Sequence, residues 1–226
     1  VVRRVALLAL AVLAAMLVAN VGSSAAEAPS PACPPPAGAP AAVPSVPAVP
    51  PVGGPAPAEI LVCVGAQAIT GASYAHWLTV AKKSEEPSGK GHPTASATEL
   101  RDEVLGFLIS SDWVKGEAAD LGIRVSAAQV RKDYDHIRNQ QFPKQREFKR
   151  FLRQSGEAVT DLMFRVELNL LSQRIQKRVA AGHRSASSKQ RALSRFVKGF
   201  KAKWQAQTYC AAQYAVKDCG HVQETL

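Results

Sequence analysis

The sequence predicts a mainly α-helical body, a compact multi-helix module with one or two short β-strands. A signal segment and a Pro/Ala-rich linker precede it. Three observations carry this reading. Apolar residues recur at steps of three and four through most of residues 69–204. Gly122, Gly156 and Gly182 each follow the end of such a run, where a helix needs a residue that accepts positive φ. The stretch 59–65, EILVCVG, is instead a short continuous apolar run closed by glycine, the pattern of a strand.

The helices follow in order. ITGASYAHWLTVAKK reads as the first, with Ile69, Tyr74, Trp77, Leu78 and Ala81 along one side. The Pro- and Gly-bearing SEEPSGKGHPTAS is a loop, and Ser96 with Glu99 forms a capping box for a helix over about 97–121. That helix carries the stripe Leu100, Val104, Phe107, Ser111, Val114, Ala118 and Leu121. Leu105, Leu108 and Ile109 widen it, so more than one side must be covered. IRV (123–125) is a short extended piece, and Ser126 with Gln129 caps the next helix to about Gln141. Pro143 suits the first turn of a helix that turns Phe148, Phe151 and Leu152 inward and ends at Gly156. A helix over about 158–181 buries Val159, Leu162, Met163, Val166, Leu170, Leu171, Ile175 and Val179. After the polar seam HRSASSKQ, the residues Leu193, Phe196, Val197, Phe200 and Trp204 face inward from the last helix, with Lys198, Lys201 and Lys203 on its other side. No repeat of fixed period is present.

The N-terminal part predicts export. Arg3 and Arg4 precede an apolar run, and small residues follow, which is the pattern of a signal peptide cut after Ala26. The uncharged stretch 5–26 is also long enough to remain as a membrane anchor. Residues 27–58, nearly all Ala, Pro, Val and Gly, form an extended linker, because repeated proline removes donors and fixes φ. The folded domain is expected over 59–226. A net charge of +10 suits anionic lipid, wall polymer or acidic polypeptides better than nucleic acid, which an exported protein rarely meets.

Four cysteines in an exported chain point to oxidation. Cys210 and Cys219 sit close enough in sequence to bridge a small loop. Cys63 lies in the strand and is either buried as a thiol or paired with Cys33, since four cysteines allow three connectivities. Zinc held by Cys210, Cys219 and His221 lacks a fourth clustered ligand. His76, His92, His136, His183 and His221 share no spacing, and the pairs Asp133/Asp135 and Glu85/Glu86 read as solvated charge. KQREFKR (144–150) reads as a basic helix face with an aromatic on its apolar side. No nucleophile elbow, zincin motif or phosphate-cradling glycine loop occurs, so no catalytic, cofactor-binding or metal residue is assigned.

The run VCVGAQAITGASYAHWL (62–78) resembles the entry strand, turn and helix of the SurA/PrsA-type foldases. LRDEVLGFLISSDWVKGEAADLGIRVSAAQVRKDYDHI, FPKQREFKRFLRQSG and DLMFRVELNLLSQRI resemble the helices that follow in their N-terminal chaperone module. FVKGFKAKWQAQTYCAAQYAVKDC resembles a closing helix with a cysteine pair. Ala66 and Cys63 depart from the family's turn and strand. In these foldases a parvulin prolyl-isomerase domain lies between the long helix and the closing helix, and here only HRSASSKQ stands there. The resemblance implies an exported, ATP-independent chaperone that holds unfolded or newly secreted polypeptides without catalysis. The alternatives are an isomerase-related foldase with residual or partner-supplied activity and a wall- or membrane-associated adaptor.

Overall fold

The computed structural model describes residue 33 and residues 54–85 and 95–226. Among these the protein is mainly helical, with six helices and a small four-stranded sheet. The residues after the linker, read above as one domain, cluster into two compact units. One comprises 117–153 and 157–193; the other contains Cys33, 54–116 outside the loop, 154–156 and 194–226.

In the second unit, β1 (Ile60–Val64) and β2 (Gln67–Thr70) form an antiparallel hairpin whose two-residue turn places Gly65 at φ 55°. Leu61, Val62, Cys63 and Val64 are all buried, because β1 is an inner strand covered on both faces, and this is why its sequence does not alternate. The sheet order is β2-β1-β3-β4, with β3 (Thr208–Ala211) antiparallel to β1 and β4 (His221–Gln223) parallel to β3. The two C-terminal strands exceed the one or two expected from sequence. Ile69, expected on the first helix, lies in β2; α1 begins at Gly71 and runs to Glu85. Its Tyr74 meets Tyr214 edge-on at 5.9 Å and its Trp77 meets Phe107 at 4.7 Å. The end of the linker is part of this unit: the Ala72 N–H donates to Pro57 O, and the Glu59 N–H to Ala56 O, each at 3.0 Å.

Helix α2 (Ala97–Asp120) starts with the expected capping box: the Ser96 N–H donates to Glu99 Oε2 at 2.7 Å and the Glu99 N–H to Ser96 Oγ at 3.2 Å. Both sides of the helix are covered, as its widened stripe requires, and Trp113 joins Leu105 and Ile109 in the core. The Trp113 indole N–H donates to Thr208 Oγ1 at 2.8 Å, and that hydroxyl donates to Trp204 O at 2.7 Å, which ties α2, the last helix and β3 together and leaves neither side-chain donor unpaired. A Cβ at Gly116 would overlap the Trp204 ring, lying 2.6 Å from Cζ3. Gly116→Ala, which would gain about 1 kcal/mol in an exposed helix, is therefore expected to lose about 1–2 kcal/mol here through overpacking; a rise in the urea midpoint would refute that close packing.

In the first unit, α3 (Ala127–Gln141), α4 (Gln145–Ser155) and α5 (Val159–Ala180) enclose a small core of Val130, Tyr134, Phe148 and Val166. The Ser126/Gln129 capping box opens α3 as expected. The 123–125 segment, expected to be extended, has no regular secondary structure; Arg174 fastens it, donating to Arg124 O and to Gln129 Oε1. Pro143 precedes α4 rather than occupying its first turn. At the start of α5, Asp161 Oδ2 accepts the Ala158 N–H at 2.7 Å, half of a capping box that Ala158 cannot complete.

The polar seam is shorter than its sequence suggests. Gly182 turns the chain at φ 82°, and α6 (Ala186–Gln205) has already begun by Ala186, with Ser185 Oγ accepting the Ser188 N–H at 3.1 Å. Helix α6 starts in the first unit and ends in the second, where Phe200 meets Trp113 at 6.1 Å. Val197, expected to face inward, is 59% exposed.

Candidate functional site

The two units divide charge unequally. Residues 117–153 and 157–193 hold sixteen basic and eight acidic side chains, so +8 of the chain's +10 lies in the α3–α5 unit. Part of the acidic minority there is engaged locally: Glu157 pairs with Arg165 at 2.9 Å, Glu147 with Lys144 at 3.8 Å, and Asp161 caps α5.

Helix α4 concentrates the excess. Its sequence, QREFKRFLRQS, sends Phe148 fully into the core and leaves Phe151 and Leu152 half-buried, while Arg146, Lys149, Arg150 and Arg153 are exposed. These four cations stand at i, i+3, i+4 and i+7, so each faces like charge one turn away. Such pairs cost about 0.2–0.5 kcal/mol each at low salt, and Glu147 is the helix's only carboxylate.

At the α3–α4 corner, Phe142 lies 5.6 Å from Phe148 and 4.9 Å from Phe151. Arg138 sits over the Phe148 ring at 5.5 Å and donates to Gln145 Oε1. Phe142 and Phe151 remain partly exposed at this corner. Ile137, Leu152, Leu162, Met163 and Leu170 are likewise only partly covered, so a core of four buried residues carries an apolar margin larger than itself. Apolar margin and basic rim in one helical unit can hold an extended chain that offers both apolar and acidic groups.

The other residues singled out in the sequence do not join this site. Cys210 and Cys219 are bonded to each other, closing the loop between β3 and β4, and Cys33 is bonded to Cys63 of β1. No described cysteine is free, so no thiolate is present for zinc. Among the described residues, no His, Cys, Asp and Glu side chains gather to hold a metal ion. His221 stacks on Tyr209 at 4.4 Å with Nε2 3.1 Å from Ala206 O, and His76 meets Trp77 edge-on at 5.4 Å. His136 is exposed on α3, and His183 lies in the turn before α6. His92 and Glu86 fall outside the described residues, as does the apolar run 5–26. No described helix is long and apolar enough to cross a membrane.

Among the described residues, one buried side-chain polar atom lacks a partner, the Tyr214 hydroxyl. Burial, followed by the nearby Glu59 carboxylate, pushes this phenol up to about 12. Tyr214→Phe removes an unsatisfied group and is expected to stabilise the protein by about 1 kcal/mol, read as a higher urea midpoint; a fall would mean that the hydroxyl is satisfied in solution.

Compared with protein-family models, with curated proteins and with solved structures, the chain matches none.

Proposed function

We propose that the protein is an extracytoplasmic, ATP-independent chaperone that holds unfolded or newly secreted polypeptides, of the kind implied by the resemblance to the N-terminal module of SurA/PrsA-type foldases. The supporting observation is the half-covered aromatic and aliphatic margin of the α3–α5 unit beneath its rim of cations. Holding needs no reacting group: the margin shelters apolar client residues, and the rim attracts acidic ones with a strength that falls as salt rises. The two disulfides fit an oxidising compartment. A cleaved signal or retained anchor at 5–26 completes this reading and would place the rim within reach of anionic membrane or wall polymer.

The test is suppression of aggregation of a chemically unfolded protein by the oxidised, purified chain, run beside a proline cis/trans exchange assay. Clear suppression near equimolar ratio is expected, with isomerisation at the buffer rate. Absence of suppression overturns the chaperone reading; enzymatic isomerisation would favour the foldase alternative. Binding to anionic polymer with no effect on aggregation would favour the adaptor.

A further inference from the structure

We propose that the α3–α4 corner selects client segments in which Asp or Glu flank aromatic or aliphatic residues. This rests on the chaperone reading and names the class of segment that the same site takes. Three observations combine. The cations at 146, 149, 150 and 153 repel one another along an exposed helix face that has one carboxylate, already beside Lys144. An incoming acidic group relieves that repulsion, whereas a basic one adds to it. Phe142 and Phe151 are partly exposed at the same corner, their rings 4.9 Å apart. Arg138 is held over Phe148 by its bond to Gln145, so one cation is oriented at the aromatic cluster before any ligand arrives.

A bilayer is the less suited occupant. A basic amphipathic helix binds lipid by burying its apolar face in the acyl boundary. The apolar face of α4 is already committed, with Phe148 buried against Val130, Tyr134 and Val166. Phe142, Phe151 and Leu152 stay only partly exposed, which suits side chains of an extended peptide better than insertion.

The test uses the full oxidised chain and three fluorescent peptides of equal length and apolar content, flanked by Asp/Glu, by Ser/Gln or by Lys. Anisotropy at low salt is expected to rank acidic above neutral by at least about tenfold and neutral above basic, the gap narrowing at 0.5 M NaCl. The variant R146Q/K149Q/R150Q/R153Q should lose that ranking and bind the three peptides alike. Because it removes repulsion, it should fold at least as well, which circular dichroism checks. The control K177Q/R184Q/K189Q/R191Q, with the same change in net charge on other exposed positions, should keep the ranking. Equal binding of the three peptides, or equal loss in both variants, overturns the proposal. So does tight binding to phosphatidylglycerol vesicles with no preference among peptides. If aggregation is suppressed while the ranking is flat, the selectivity alone fails; if suppression is absent too, the chaperone reading fails with it.

Discussion

Replacing Cys210 and Cys219 together with alanine is expected to destabilise the protein by about 3 kcal/mol, from the chain entropy that the bridge removes from the unfolded state. For a chain of this size that corresponds to a melting temperature lower by about 9 °C. Both ends of the bridge are held in the folded state: Cys210 is fully buried in β3 opposite Val62, and Cys219 donates its N–H to Val216 O at 3.0 Å just before β4. The closed loop carries Tyr214 into the core against Tyr74. It also makes a parallel pairing of β3 with β4 possible through a connection (212–220) shorter than parallel neighbours ordinarily require. Loss of protection should therefore begin at β4 in hydrogen exchange. A melting temperature within about 2 °C of the parent would show that strand pairing alone fixes this end of the sheet.

The second large effect depends on pH. Asp112 on α2 is mostly buried, and burial pushes its carboxyl up to about 6, with Lys115 opposing the shift. Its ordinary value is 3.8. Between these two values the folded protein keeps a proton that the unfolded chain has released, so stability falls as pH rises through the window and stays lowered above it. Asp112→Asn should remove this dependence and stabilise the protein above pH 6 by about 2 kcal/mol, allowing for partial exposure of the carboxyl. Below pH 4 the two proteins should unfold at the same denaturant concentration. Parallel stability curves for parent and variant from pH 4 to 7 would refute the assignment.

Much of the helical part was legible because each helix states its own period and punctuation. Ser126 with Gln129, Ser96 with Glu99, and the glycines at 122, 156 and 182 act locally, and local signals survive any tertiary arrangement. The C-terminal strands were not legible for the opposite reason. TYCA becomes a strand because β1 offers it an edge, and HVQ because the disulfide returns the chain beside β3. Val197 shows the limit of periodicity: Phe196 and Val197 both fit the spacing between Leu193 and Phe200, and only packing decides which faces solvent. KQREFKR was legible as a basic helix face with an aromatic on its apolar side, but two facts of the fold were not. These are the gathering of most net charge into one unit and the exposure of Phe142 and Phe151 beside it.

The bond between Cys33 and Cys63 changes what the proline-rich stretch can do. Counted along the sequence, the whole of 27–58 separates residue 26 from β1. With Cys33 bonded to Cys63 of β1, the covalent path from residue 26 to the folded body runs through 27–32 alone. Residues 34–62 lie within the ring that this bond closes, and a reductant that opens it restores the longer covalent path.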